Sequence, residues 1–114
     1  MRVLICGGRD LNEQKACDFL LDFLKDYDIS LVIEGGARGG DRAGRMFAEK
    51  SNIPFRTFNA DWDRYGKRAG RIRNQQMLDE GFPDLIIALP GGRGTANMIE
   101  ISEGKIPQII LGHK

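Results

Sequence analysis

The chain has 114 residues, of which 41% are hydrophobic and 29% are charged, and this is the size and composition of one globular domain. The formal net charge of +1 argues against a surface that binds nucleic acid all over, although it permits a local basic cluster. Strand-forming residues begin at Arg2, and no apolar run approaches the ~20 residues that cross a bilayer. We therefore expect neither a signal peptide nor a membrane span, and a cytoplasmic location.

The cysteines and the histidine argue against two kinds of site. Cys6 and Cys17 do not have the spacing of metal ligands, and we expect them to be reduced thiols in the core. His113 is the sole histidine and lies one residue from the end, which argues against a histidine-based catalytic triad or a zinc centre. The sequence therefore predicts no metal site and no bound cofactor.

Strands alternate with helices along the whole chain. Short apolar runs predict strands at 3–6, 31–33, 54–58, 85–89 and 107–111. Helical spacing predicts helices over about 11–27, 41–51, 67–80 and 95–103, with a loop at 59–66. Such alternation predicts the α/β class: one three-layer Rossmann-like sandwich spanning residues 1–114, with a five-stranded parallel sheet in the order 3-2-1-4-5.

Three glycine-rich turns follow the first, second and fourth strands, at 7–10, 35–41 and 90–95. In the order 3-2-1-4-5 the switch point lies between strands 1 and 4, which brings these turns together at the carboxyl edge of the sheet. Each turn contains an arginine, and a guanidinium beside backbone N–H groups binds phosphate well. A single turn would equally be structural, and its arginine merely solvated. Three together predict a ligand that carries phosphate.

The carboxylates beside these turns have two interpretations. Asp10 and Asp41 have side chains that favour the N-cap position of the helix that follows, as does the hydroxyl of Thr95. Asp10 and Asp41 would alternatively bind ribose hydroxyls or act as a general base. Glu34, at the end of an otherwise apolar strand, is expected to make a polar contact in the site.

The segment after the third strand adds an aromatic residue and a polar helix. We expect Trp62 to stack on a base or to form an interface, and Tyr65 favours neither role. The helix at 67–80 has a thin apolar stripe, so it either lies on the surface or faces a polar ligand. A third interpretation, single-stranded nucleic-acid binding, needs one exposed basic face. Its residues would be Arg64, Lys67, Arg68, Arg71 and Arg73.

Five motifs together resemble the YspA, YpsA-related branch of the SLOG superfamily. They are Gly-Gly-Arg at 7–9, Gly-Gly-Ala-Arg-Gly-Gly-Asp at 35–41, Ala-Asp-Trp at 60–62, Arg-Asn-Gln at 73–75 and Pro-Gly-Gly-Arg-Gly-Thr-Ala at 90–96. That superfamily joins the DNA-processing Smf (DprA) proteins to the LONELY GUY phosphoribohydrolases, and its members bind nucleotides with a Rossmannoid fold. The resemblance implies a nucleoside phosphate, NAD or an ADP-ribose-like ligand, and a homo-oligomeric assembly.

The resemblance to the hydrolases breaks at one position. Their motif Pro-Gly-Gly-x-Gly-Thr-x-x-Glu ends in a glutamate that helps the chemistry, whereas this chain has Met98 there. A thioether cannot accept a proton or stabilise positive charge in the transition state. The hydrolases also use an arginine on the preceding helix, which Arg71 or Arg73 would match. The leading expectation is therefore a sensor or sequestering module, and the alternative is an N-glycosidic hydrolase with a non-standard acid or base.

These arguments define the candidate site. The candidate catalytic residues are Glu34, Arg71 and Arg73. The predicted ligand-binding residues, drawn from all of these segments, are Gly7, Gly8, Arg9, Asp10, Glu34, Gly35, Gly36, Arg38, Gly39, Asp41, Trp62, Arg73, Asn74, Pro90, Gly91, Gly92, Arg93, Gly94 and Thr95. The identity of the base and the number of phosphates are left open.

Overall fold

The computed structural model describes residues 1–111 and confirms the predicted α/β fold. Five strands form one all-parallel sheet in the order β3-β2-β1-β4-β5. The strands are β1 (Arg2–Cys6), β2 (Leu31–Glu34), β3 (Phe55–Thr57), β4 (Leu85–Ala88) and β5 (Gln108–Ile110). The helices are α1 (Glu13–Phe23), α2 (Gly40–Lys50), α3 (Trp62–Tyr65), α4 (Ala69–Gly81) and α5 (Arg93–Ser102), with a 3₁₀ turn at Gly66–Arg68. His113 lies outside the described residues.

The core consists of two layers, one on each face of the sheet. Successive strand residues point to opposite faces, so Val3 and Ile5 pack with α1 and α2, whereas Leu4 and Cys6 pack on the side of α4 and α5. Because the central strands β1 and β4 are covered on both faces, their residues are almost entirely buried. This buried pair carries the two turns of the switch point.

The first helix begins later and ends earlier than predicted. Its N-cap is Asn12, whose side chain accepts a hydrogen bond from the Lys15 N–H at 2.9 Å, so the prediction that Asp10 caps this helix is wrong. Asp and Asn are both favoured at the N-cap. Because the helix begins at Glu13, Asn12 occupies that position and Asp10 precedes it. The helix ends at Phe23 instead of continuing to Tyr27.

The predicted caps of the other two site helices are also wrong. The N-cap of α2 is Gly39, with φ of 83°, and that of α5 is Gly92. Asp41 and Thr95 therefore lie inside the first helical turn. The side-chain preference is overridden because the glycine-rich turns run directly into helix, which leaves the polar side chains free for other contacts.

The segment at 59–66, predicted as a loop, contains a single helical turn. Asp61 caps it by accepting a hydrogen bond from the Arg64 N–H at 3.1 Å, a local signal that sequence reasoning overlooked. The turn begins at Trp62. The next helix, α4, begins after the 3₁₀ turn, at Ala69, whereas the sequence predicted its start at Lys67. Among the helices of residues 1–111, none has the length and apolar character needed to span a membrane.

Candidate functional site: a basic cleft at the carboxyl edge of the sheet

A cleft of about 880 Å³ opens at the carboxyl ends of β1 and β4, where open α/β sheets bind ligands. Most of the predicted residues line it: Gly7, Gly8, Arg9, Asp10, Asp41, Trp62, Arg71, Arg73, Asn74, Pro90, Gly91, Gly92, Arg93, Gly94 and Thr95. Five others lie behind or beside the cleft: Glu34, Gly35, Gly36, Arg38 and Gly39. Its volume is within the range of small-molecule and cofactor sites.

The three glycine-rich turns are bonded to one another through their backbones. The Gly8 N–H donates to the Pro90 carbonyl at 2.8 Å, and the Gly40 N–H donates to the Gly8 carbonyl at 3.0 Å. A Cβ at Gly39 would overlap the Gly8 carbonyl, and one at Gly40 would overlap the backbone of Gly7. These glycines are therefore required by the packing of the turns, with or without a ligand.

Gly92 and Gly94 differ from the glycines that the turns bury against each other. Both line the cleft at the start of α5, and among residues 1–111 nothing lies within 4 Å of a Cβ built at either position. Neither has a positive φ. Gly91 beside them is structural, because its Cβ would overlap the side chain of Thr95.

Glu34 is placed away from the cleft by its own hydrogen bonds. The residue is fully buried, and its carboxylate accepts hydrogen bonds from the Gly36 N–H at 2.6 Å and from the Thr57 hydroxyl of β3. Gly36 has φ of 76°, a conformation that suits glycine. The carboxylate thus fixes the turn after β2 and is not among the residues that line the cavity.

Arg73 and Asn74 join the turn after β2 to the start of α5. The Arg73 guanidinium donates to the Gly35 carbonyl and, through Nε, to Asn74 Oδ1 at 3.0 Å. The Asn74 amide in turn donates to the Gly94 carbonyl and to Asn97 Oδ1, both at 3.0 Å. A Cβ at Gly35 would overlap the guanidinium. These two residues hold the cleft in shape and also line it.

Asp41 is the buried carboxylate of the cleft. It is 6% exposed, and its Oδ2 accepts a hydrogen bond from the Ala37 N–H at 3.3 Å. Burial raises the pKa of Asp41 to about 6, even though Arg73 and the Ala37 N–H oppose this rise. A carboxyl group with such a pKa is able to exchange protons near neutral pH.

Most of the charged side chains that line the cleft are cationic. Its cationic side chains are Arg9, Lys67, Arg71, Arg73 and Arg93, and its carboxylates are Asp10 and Asp41. Burial lowers the pKa of Arg73, and the nearby Asp41 raises it. Because Arg73 is 9% exposed, it is not part of the exposed basic face that single-stranded nucleic-acid binding would need. The excess of positive charge favours an anionic ligand.

Trp62 forms the outer wall of the cleft. It is 47% exposed, and the Arg9 guanidinium lies 5.5 Å from the centroid of its ring, within cation–π range. Arg9, Ala37, Arg38 and Trp62 line a second, shallower cavity of about 380 Å³. Arg38 lies there 3.8 Å from the exposed Asp10 carboxylate, a surface pair that contributes little stability.

Two residues, Met98 and Cys6, lie at positions relevant to catalysis, but their surroundings do not favour a catalytic role. Met98 is fully buried in the layer between the sheet and helices α4 and α5, so the position of the hydrolase glutamate is filled here by a core side chain. Cys6 lines the floor of the cleft, but burial raises the pKa of its thiol to about 12. A neutral thiol of this kind is a poor nucleophile.

Three residues that shape the cleft are not among those predicted to bind a small-molecule ligand. Lys67 and Asn97 line the cleft, and Asn97 directly follows the recognised motif at 90–96. Glu13 accepts a hydrogen bond from the Gly39 N–H at 2.8 Å and lies 3.7 Å from Arg42, which ties α1 to the second turn. The contact between Glu13 and Gly39 spans 26 positions and has no local signature in the sequence.

Comparison with known proteins gives two matches. The model of the YspA, cpYpsA-related SLOG family matches residues 1–65, which include the first two glycine-rich turns and Trp62. The Gene 61 protein of Mycobacterium phage D29 is 37% identical over 123 residues, and the match covers 99% of this chain and 98% of that protein. The second match therefore extends over the whole cleft, including the turn after β4.

Proposed function

Because this chain belongs to the YspA, cpYpsA-related SLOG family of nucleotide-related binding domains, we propose that its cleft binds a nucleotide-derived small molecule. The ligand is a nucleoside phosphate or an NAD- or ADP-ribose-like molecule. By binding this molecule, the chain serves as a sensor or as a sequestering module. The cleft lies at the switch point of the sheet, which is the expected place for a ligand of this class.

The observation that carries the proposal is the pair of open glycines, Gly92 and Gly94. The packing of residues 1–111 does not require glycine at either position. Gly92 is the N-cap of α5, but Gly94 lies inside the helix, where glycine costs about 0.5–1 kcal/mol of stability relative to alanine. A ligand that approaches the backbone closely explains why a side chain is absent. The start of α5 offers unpaired N–H groups and a positive dipole end, which bind phosphate.

The remaining groups of the cleft extend this site outward. Arg93 begins α5, and Lys67 and Arg71 lie on the facing segment, so a phosphate at the start of α5 has cations around it. Trp62 stands at the outer end, where stacking on a base contributes about 1–3 kcal/mol in related recognition modes. A phosphate at one end and a base at the other suit a nucleotide.

The test is a calorimetric titration of the purified chain with nucleoside monophosphates, NAD and ADP-ribose, together with native mass spectrometry of any molecule that co-purifies. We expect the variant Gly94→Ala to bind at least ten times more weakly, because its methyl group enters the space of the phosphate. Glu100→Ala, on the exposed side of the same helix, is the matched control and is expected to bind like the wild type. Unchanged affinity in Gly94→Ala would overturn the assignment of the anion to α5.

A second candidate function, hydrolysis of the N-glycosidic bond of a nucleotide, is favoured by Asp41. Glu34 is enclosed by its own hydrogen bonds, whereas Asp41 lines the cleft and has a pKa of about 6, which suits a general acid or base. In this reaction water adds its hydroxyl to the anomeric carbon and its proton to the departing base, as the C–N bond breaks. Arg71 and Arg73 would stabilise the phosphate of the substrate.

Product analysis distinguishes the two candidates. The chain is incubated with nucleoside monophosphates, NAD and ADP-ribose, and free base and ribose phosphate are measured by chromatography. Turnover that Asp41→Asn abolishes would establish the hydrolase and contradict a pure binding module. Binding without product, at enzyme concentrations equal to those of the substrate, would eliminate the hydrolase.

A further inference from the structure

Asp41 has acceptor capacity that the described chain does not use. A carboxylate offers about four lone pairs, and within residues 1–111 its one hydrogen-bond donor is the Ala37 N–H. The ion pairs found in that range do not include it. Since the residue is 6% exposed and lines the cleft, the free part of its carboxylate faces the cavity. Among residues 1–111 no fully buried side-chain oxygen lacks a partner, so the carboxylate oxygen that makes no hydrogen bond is open to the cleft.

Hydrogen bonds connect the segment around Asp41 to both ends of the cleft. On one side it follows Gly40, whose N–H donates to Gly8, and Gly8 donates to Pro90 at the turn before α5. On the other side its donor, Ala37, also lines the second cavity together with Trp62. These contacts connect the start of α5, the Asp41 carboxylate and the Trp62 ring in that order. In a nucleotide the corresponding order is phosphate, sugar, base.

The surroundings of Asp41 restrict which group it can accept. The charged or titratable groups that act on it are Arg73 from α4, Arg9 from the turn after β1, Glu34 from β2 and Cys6 from β1. The two arginines disfavour a cationic ligand group, and the carboxylates disfavour an anionic one. A neutral donor is favoured, and the neutral donors at the centre of a nucleotide are the hydroxyls of its sugar.

We propose that Asp41 accepts a hydrogen bond from a sugar hydroxyl of the ligand, so that the cleft selects ribonucleotides over deoxyribonucleotides. This inference rests on the proposed function, because it requires a sugar between the phosphate and the base. Loss of the hydroxyl leaves a buried carboxylate without that donor, and sites built in this way reject the analogue strongly. At pH 7.5 the carboxylate is ionised, since its pKa is about 6, and a charged acceptor forms the stronger hydrogen bond.

The experiment compares ribose and deoxyribose ligands by calorimetry at pH 7.5. The four ribonucleoside monophosphates and their 2′-deoxy and 3′-deoxy counterparts are titrated into the wild type, Asp41→Asn and Asp41→Leu. In the wild type, we expect at least one deoxy series to bind tenfold or more weakly. The preference shrinks in Asp41→Asn, whose amide is a neutral acceptor, and disappears in Asp41→Leu. Both variants still bind the phosphate.

The control is Asp79→Asn, which removes the same charge from an exposed position of α4 and is expected to keep the full preference. Circular dichroism melting verifies that each variant is folded, and Asp41→Asn retains the shape of the side chain if Asp41→Leu does not fold. Equal binding of ribo and deoxy ligands by the wild type would overturn this inference and leave the proposed function intact, as would a preference that survives in Asp41→Leu. Failure of every nucleotide to bind would overturn both.

Discussion

The turns at 35–40 and 90–94 have nearly the same composition, yet their glycines serve different purposes. In the first turn, side chains at Gly39 and Gly40 would overlap the neighbouring turn after β1. In the second, Gly92 and Gly94 face open space among residues 1–111. Gly39 and Gly40 therefore preserve the fold, as does Gly91 of the second turn, whereas we propose that Gly92 and Gly94 leave room for a ligand. Substitutions that distinguish these two purposes should change stability in opposite directions.

The largest effect is expected for Gly39→Ala in the first turn. Its φ of 83° is unfavourable for alanine, and the added Cβ overlaps the Gly8 carbonyl. We expect the free energy of unfolding to fall by about 3 kcal/mol or more, as strain and overpacking combine. Equilibrium urea denaturation measures this loss. A denaturation midpoint equal to that of the wild type would show that the turns are not locked together.

A smaller effect of opposite sign is expected for Asp41→Asn at pH 7.5: the free energy of unfolding should rise by a figure on the order of 2 kcal/mol. The pKa of Asp41 is about 6 in the folded state against a model value of 3.8. The folded state therefore holds a proton that the unfolded state has lost between these values, and stability due to this group falls as pH rises through that window. Above pH 6 the folded state bears the full cost of burying the ionised Asp41 carboxylate, and Asp41→Asn removes this cost.

The gain from Asp41→Asn should disappear near pH 4, where the native carboxyl is protonated in the folded state. Urea denaturation of the wild type and the variant at pH 4 and pH 7.5 provides the measurement. Asp79→Asn serves as the comparison, because its carboxylate is exposed. A gain of the same size at both pH values would refute the assigned cause.

The smallest effect is expected for Gly94→Ala in the second turn. Gly94 is helical and unobstructed, so alanine should raise the free energy of unfolding by about 0.5–1 kcal/mol. Thermal and urea denaturation of the ligand-free chain detect this gain. Destabilisation would instead show that Gly94, like Gly39, is required by the fold, and the contrast between the two turns would be lost.

Residues whose replacement stabilises a protein often serve its function at the expense of stability. Gly94 and Asp41 are both predicted to meet this description, although one lacks a side chain and the other carries a buried charge. Gly39 does not, since its replacement is predicted to disrupt the chain's own packing. The stability measurements would thus point to ligand positions independently of any knowledge of the ligand.

The carboxylates show how far the site could be predicted from sequence. Glu34, at the end of a buried strand, was a leading candidate, whereas Asp41 was also assigned a capping role. The structure encloses Glu34 with Thr57, a residue 23 positions away on β3, and leaves Asp41 facing the cleft. Pairing between β2 and β3 therefore decided which of the two is accessible, and local sequence has no signal for that contact.

The sequence by itself determined the order of the sheet and the edge at which its turns gather. Alternating strands and helices permit few right-handed parallel arrangements, and every parallel strand delivers its carboxyl end to the same edge. Tertiary structure alone decided which glycines are locked, which carboxylate is exposed to the cleft, and that Met98 belongs to the core. These outcomes depend on contacts between segments far apart in the chain, where packing and burial override the preferences of individual residues.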